Sequence, residues 1–387
     1  MELSKLVFKY PLILIRYAVT TVTSIIGLKL LVLFLSPAEF GLLNYKLSLI
    51  TLTFFITEIF NYSYLYNIGA FKNQADGLQI VYICWKTISI TILALLFFVF
   101  TRNLICIGLF VAWSLNTLFL TLLYGKKDIY HTQIAITIDE CLQPILFLVA
   151  LLYRNGGDVA INSIILAFIL SSTVGSVYLL PYIKNIRLKI PSIKMVLQFF
   201  FISGALAFIL NYELIALNLD KYILSFFTDF EAIGLYSGAQ KLALTPYMIV
   251  NAFLLITLPI THDERVLKLL KIISGFIIGF SIFIIALFSP FIFRTFLTSQ
   301  YHNPLLTIGL LIPAIFISMV KITAIGIKDY KALWIKSVFV FGMYIVLGMY
   351  LTAIFGIWGI ALTQNISAFI LYALIKYDFR FMIGGYT

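Results

Sequence analysis

A chain of 387 residues that is 62% hydrophobic and 11% charged lies far from soluble proteins, which run about 45–50% apolar and about 25% charged. Its 27 Lys and Arg against 16 Asp and Glu give a formal charge of +11. So few charges cannot cover so much apolar surface, which excludes a water-soluble nucleic-acid binder and places the chain in a lipid bilayer.

Cys84, Cys106 and Cys141 sit in apolar runs without a C-x-x-C, which excludes a disulfide framework and a zinc site. His131, His262 and His302 are too far apart in sequence to form a metal cluster. There is no G-x-x-x-x-G-K-[ST], no G-x-S-x-G and no H-E-x-x-H. The reading is therefore a non-enzyme without cofactors. It cannot hydrolyse ATP, so uphill work must draw on an ion gradient or a downstream sink.

A helix needs about 20 predominantly apolar residues to cross about 30 Å of hydrocarbon. Taken in chain order, apolar runs, turn signals and charges predict twelve spans, at 12–35, 44–66, 80–101, 103–124, 133–153, 159–182, 201–228, 233–258, 267–292, 304–326, 333–354 and 357–375. Lys5 and Lys9 ahead of span one mimic a secretory leader. The apolar run is too long for one, and no small-residue cleavage site follows, so it is read as the first helix. With the N-terminus inside, eighteen Lys and Arg fall in inner segments or at inner span ends, four (Lys46, Arg102, Arg154, Arg294) in outer loops or at outer span ends and five (Lys29, Lys86, Lys221, Lys241, Lys321) deeper within spans. Cytoplasmic loops carry such an excess of basic residues, which supports twelve spans with both termini cytoplasmic.

The basic loop Tyr182–Lys194 divides the spans six and six. Residues 1–182 and 201–387 are read as two six-helix bundles, with 183–200 as a cytoplasmic linker. The halves echo each other. Lys29 leads through SPAEFGLL to Gly41, and Lys221 leads through TDFEAIGLY to Gly234, with Glu39 and Glu231 shortly before each glycine. Six plus six helices in the same orientation are the trace of a transporter whose halves rock about a central site. The alternative is that two helical hairpins merely end in similar turns.

Those turns, in SPAEFGLLNYKLSLI and LDKYILSFFTDFEAIGLYSGAQKL, together with the closing GIWGIALTQNISAFILYAL, resemble the Wzx-type flippases. These are translocators of lipid-linked O-antigen or common-antigen units within the multidrug/oligosaccharidyl-lipid/polysaccharide superfamily. The resemblance implies an all-α polytopic membrane protein of about twelve helices, in two six-helix bundles around a central cationic cavity. It implies a bacterial inner membrane, alternating access, and an undecaprenyl-pyrophosphate-linked sugar repeat as substrate. A polysaccharide polymerase and a chain-length regulator are the partners it suggests. Spans one, two, seven and eight face the cleft in that family, and Lys29, Lys46, Lys221 and Lys241 all lie on the corresponding segments here.

A Lys at mid-bilayer costs roughly 2.5–3.5 kcal/mol on the translocon scale, so such residues line water, pair or snorkel. Lys29, Lys46, Lys221, Lys241 and Lys321 are the candidate substrate-binding cations. A pyrophosphate is too costly to move unpaired through a low-dielectric core, and a few ammonium groups in a wet cleft offset that cost. The alternative is that these lysines neutralise carboxylates on neighbouring helices. Glu58, Glu213 and Asp220 are the candidate ion-coupling or pairing acids, Glu213 being the deepest. Asp139 and Glu140 are read as a solvated helix end, and Lys86 as snorkelling. Pro246 and Pro313 predict kinks in spans eight and ten. Tyr45, Tyr62, Tyr212 and Tyr236 are candidates for stacking on sugar faces.

Three functions compete: a flippase, a MATE-like multidrug or cation antiporter, and a membrane polymerase or ligase. An antiporter site would favour acids, whereas lysines outnumber acids on the cleft helices. A polymerase needs a large periplasmic loop, and the longest outer loops are about a dozen residues.

Overall fold

The computed structural model describes residues 11–58, 75–125, 128–152, 157–183, 192–193, 196, 212–257, 264–324 and 330–377. These hold twelve α-helices, two 3-10 turns and no strand. The first six helices are α1 (Pro11–Phe34), α2 (Pro37–Glu58), α3 (Ala75–Thr101), α4 (Leu104–Gly125), α5 (Ile129–Leu152) and α6 (Gly157–Leu179). The second six are α7 (Tyr212–Leu224), α8 (Phe230–Thr257), α9 (Glu264–Phe296), α10 (Pro304–Ala324), α11 (Tyr330–Phe355) and α12 (Ile357–Lys376). Nine of the twelve are long and apolar enough to cross a membrane. The chain is a multi-pass, all-α membrane protein, with a helix at each expected span. Most of the expected linker 183–200 lies outside the described residues.

Several helices begin earlier than hydropathy predicts, because polar residues ahead of the apolar run cap them. Ser36 and Glu39 form a reciprocal capping box at the start of α2: the Ser36 N–H donates to Glu39 Oε2 at 2.9 Å, and the Glu39 N–H donates to Ser36 Oγ at 3.3 Å. Pro37, at the first helical position, loses no hydrogen bond there. At the equivalent turn of the second half, Asp229 Oδ1 accepts from the Ala232 N–H at 2.8 Å. Asn103 caps α4 and Asn303 caps α10 in the same way. The α5 helix starts at Ile129, capped by Asp128 through the His131 N–H at 3.2 Å. Asp139 and Glu140 consequently lie about three turns inside it, not near a solvated end.

The repeated turns meet. A Cβ added at Gly41 would overlap the carbonyl oxygen of Phe230, and one added at Gly234 would overlap that of Pro37. Each glycine thus faces the residue four positions before the other, so the N-terminal ends of α2 and α8 touch backbone to backbone about a local two-fold relation. Tyr301, in the turn between α9 and α10, fills the next space. It packs edge-on to Phe40, 5.8 Å between ring centroids, and against Gly238, where a Cβ would lie 2.8 Å from its ring.

The buried apolar residues form two large clusters. One runs from Ala216 to Ile375 within α7–α12. The other runs from Leu28 to Ala167 within α1–α6 and takes in Leu242, Phe293, Leu297 and Tyr301 from across the glycine seam. The two bundles therefore share a welded end. In addition to Pro246 and Pro313, Pro144 lies inside α5 and Pro290 inside α9, where Phe288 leaves the helical region and kinks the chain.

Gly41→Val and Gly234→Val overpack this seam, and overpacking costs about 1–3 kcal/mol. Each variant is expected to melt several degrees below wild type by thermal unfolding of the purified full-length protein. Gly275→Ala and Gly279→Ala have nothing within 4 Å of the added Cβ and should be neutral or slightly stabilising, because alanine favours the helix.

Candidate functional site

Next to the seam, α1, α5, α6 and α8 enclose a cavity of about 240 Å3 between the two bundles. Its polar lining is Thr23, Ser24, Glu140, Gln143, Lys241 and Thr245, and its apolar wall includes Leu28, Leu31, Phe147 and Phe168. Pro144 lines it too, so the α5 wall passes through a residue that frees one backbone carbonyl. The cavity joins helices from both halves, which is where a rocking transporter binds its passenger.

Of the candidate lysines whose side chains are described, only Lys241 lines this cavity. Its ammonium lies 5.6 Å from the Phe40 ring centroid, and no carboxylate pairs with it among the described residues. Lys29 instead crosses the seam and donates to carbonyls at the C-terminal end of α9, Arg294 O in its last turn at 3.0 Å and Leu297 O just past it at 2.5 Å. A cation suits those otherwise unpaired helix-end carbonyls. Lys221 is folded back on its own helix, donating to Leu217 O at 2.5 Å. Lys46 pairs with the exposed Asp158 at 3.5 Å, a contact worth little in solvent. The side chains of Lys321, Glu213 and Tyr212, and all of Tyr62, lie outside the described residues.

The candidate acids divide similarly. Asp220 is fully buried inside the second bundle and takes donors from three other helices. Tyr344 Oη donates to Oδ1 at 2.5 Å, Gln240 Nε2 and Gln364 Nε2 donate to Oδ2 at 2.8 and 2.6 Å, and the Tyr236 hydroxyl donates to Oδ2 as well. Tyr236 is therefore shut within this network, away from any sugar. Glu58 is buried against Lys86, whose ammonium it holds together with Thr57. Lys86 does not snorkel. The α3 helix begins at Ala75, so Lys86 lies eleven residues inside it, about 16 Å along the axis at 1.5 Å per residue. At that depth pairing is the available solution. Tyr45 stacks on Tyr222 at 6.5 Å and packs on Phe230 at 5.7 Å near the seam.

Asp139 and Glu140 point to different partners. Asp139 accepts from Asn116 Nδ2 at 3.1 Å, Ser172 Oγ at 3.1 Å and Gln143 Nε2 at 3.2 Å, which ties α5 to α4 and α6. Glu140 faces α1, where Arg16 Nη2 lies 3.6 Å from Oε1 and the Thr20 hydroxyl donates to Oε2. Arg16, Thr20, Thr23, Ser24 and Gly27 share one face of α1 by their three- and four-residue spacing. This polar stripe continues from the cavity's Thr23 and Ser24 toward the N-terminal end of α1. Sequence reasoning missed Arg16 and Glu140 as site residues, although that spacing is visible in RYAVTTVTSIIG.

Neither a protein-family model nor a curated protein matches the sequence. Among solved structures, the fold is similar to an inward-facing multidrug resistance MATE family transporter of the MOP superfamily, at 14% identity, covering 95% of this chain and 98% of that one, with a TM-score of 0.65. It is similar to the lipid II flippase MurJ in an inward closed conformation, at 16% identity, covering 96% and 87%, with a TM-score of 0.66. The Vibrio cholerae MATE transporter VcmN in its bent form matches at 13% identity over 95% and 97%, with a TM-score of 0.60. The chain thus has the two-bundle helical fold that these transporters share.

Removing one partner of a buried ion pair costs about 3–5 kcal/mol, whereas removing both is far milder. Lys86→Met alone is expected to destabilise the protein severely in thermal unfolding. Glu58→Gln combined with Lys86→Met should recover most of the loss, a coupling that a double-mutant cycle measures.

Proposed function

We propose that the chain is a non-hydrolytic flippase of the bacterial inner membrane. It moves an undecaprenyl-pyrophosphate-linked O-antigen or related sugar repeat from the cytoplasmic to the periplasmic leaflet by alternating access. The observation that carries this reading is Lys241: an ammonium without a carboxylate partner among the described residues, on the wall of a cavity between two helix bundles. A diphosphate needs such a group to enter a low-dielectric site, while its polyprenyl tail stays in lipid. The structural likeness to the lipid II flippase MurJ agrees with a lipid-linked passenger. In this reading residues 1–182 and 201–387 are the moving bundles and 183–200 joins them on the cytoplasmic side. Both termini are cytoplasmic. The Gly41–Gly234 seam is then the periplasmic gate, closed here. A polysaccharide polymerase and a chain-length regulator would receive the product outside.

At about 240 Å3, the cavity falls short of the roughly 300–1,000 Å3 of pockets that enclose a drug-sized ligand. It suits the headgroup's charged centre, with the sugars entering as the bundles part.

A second reading, a MATE-like multidrug or cation antiporter, is favoured by Glu140 on the same wall and by the MATE structural neighbours. Complementation separates the two. Losing one charged hydrogen-bonding partner is worth about 1.5–3 kcal/mol, so Lys241→Ala should reduce the O-antigen ladder of a flippase-deficient strain about tenfold or more at equal expression. Lys46→Ala, at the exposed pair, should leave the ladder intact. A wild-type gene that restores no ladder but lowers sensitivity to cationic drugs would establish the antiporter instead.

A further inference from the structure

The carboxylate on the cavity wall sets a charge condition on loading, and the argument that follows rests on the flippase reading above. Among the described residues, Lys241 and Glu140 line the cavity, with Arg16 beside Glu140 and Asp139 next to it in the chain, two side chains of each charge sign. With all four ionised, these side chains balance. A diphosphate diester brings two negative charges, so loading it unaided would leave the site two charges out of balance inside the membrane, where uncompensated charge is most costly.

We propose that Glu140 is the proton-binding group of this cavity. It takes up one proton as the lipid-linked diphosphate loads, and thereby releases Arg16 to the passenger. The step is a simple protonation: a proton from cavity water adds to the Glu140 carboxylate to give the neutral acid, and returns to water when the passenger leaves.

The geometry selects Glu140 over its neighbour. Asp139 already has its carboxylate oxygens occupied by three neutral donors, Asn116, Gln143 and Ser172. Glu140 has the Thr20 hydroxyl on one oxygen, and on the other Arg16 at 3.6 Å, beyond hydrogen-bonding distance. The Arg16 guanidinium is correspondingly under-used, its buried Nε having no partner. It has donors to offer a diphosphate, in the fork geometry that suits phosphate oxygens.

The groups around Glu140 are few. α1 presents Arg16, Tyr17 and Thr20; α5 itself brings Asp139 and Cys141; and α8 brings Lys241 across the cavity. From α4 and α6 come Asn116 and Ser172, both committed to Asp139. Among these described groups Glu140 is the one acid that lines the cavity and lacks a full set of donors. A passenger's phosphates drawn to Arg16 and Lys241 would compete with Glu140 for the guanidinium. Protonation removes both the competition and the repulsion.

The test uses the full-length protein in lipid nanodiscs and a soluble probe, farnesyl diphosphate esterified to a single N-acetylglucosamine. That probe is a diphosphate diester and does not itself titrate near neutral pH. Isothermal titration calorimetry in two buffers of different ionisation enthalpy counts the protons taken up on binding. Wild type is expected to take up one proton, and its affinity should fall about tenfold per pH unit where uptake is complete. Glu140→Gln should bind the probe without proton uptake and with a flat pH profile.

Probe binding by wild type without proton uptake overturns the proposal with no variant needed, and undiminished uptake in Glu140→Gln overturns the assignment to this residue. Either result leaves the flippase reading standing. Failure of wild type to bind the probe at any pH removes that reading, and this one with it.

Discussion

A charged group inside a hydrocarbon slab must find its counter-charge or its hydrogen bonds within the protein, because no water is there to supply them. This constraint organises the interior of the chain. Lys86 is matched by Glu58, Asp220 by two phenols and two amides, Asp139 by two amides and a hydroxyl, and Lys29 by the open carbonyls at the end of α9. Each match ties one helix to another, so charge satisfaction and helix packing are the same event. Lys241 and Glu140, by contrast, face a cavity, with Arg16 on the adjoining stripe of α1.

The glycine seam gives that place its setting. Gly41 and Gly234 let two helix ends approach until backbone meets backbone, and Tyr301 packs beside them against Phe40 and Gly238. A joint with few side chains to unpack is well suited to parting and re-forming as a unit. The polar stripe on α1 leads away from it toward the N-terminal end of that helix. In the proposed function, the tight seam and the polar face leading away from it would supply the asymmetry that alternating access requires.

In the proposed function, the charge on the cavity wall also bears on which sign of passenger the site takes. A purely cationic wall would bind a diphosphate tightly and release it slowly. A wall with one acid and one base holds either sign of passenger weakly, and the balance is set by what protonates or pairs with the acid. Small changes in those two side chains would shift a common scaffold between anionic and cationic cargo, consistent with fold and function being separable.

Composition and hydropathy alone established an all-α membrane protein with twelve helices, because the cost of unpaired backbone in lipid leaves a long apolar run no other regular option. The repeat was also legible: SPAEFGLL and TDFEAIGLY carry the caps and the glycine that the two helix starts need locally. Helix starts were misplaced by several residues at α2, α3 and α5; at α2 and α5, capping by Ser36 and Asp128 overrides hydropathy. That error put Lys86 and Glu140 near water on paper, when they lie turns deeper. Which charges pair and which face the cavity was decided only by tertiary structure. A sequence gives the depth of a Lys or Glu along its helix, but its partner lies on another helix, at a distance and angle that only packing fixes. Lys29 and Lys221 occupy matching places in the repeat yet end on different carbonyls, while Lys241 alone of the described candidates reaches the cavity.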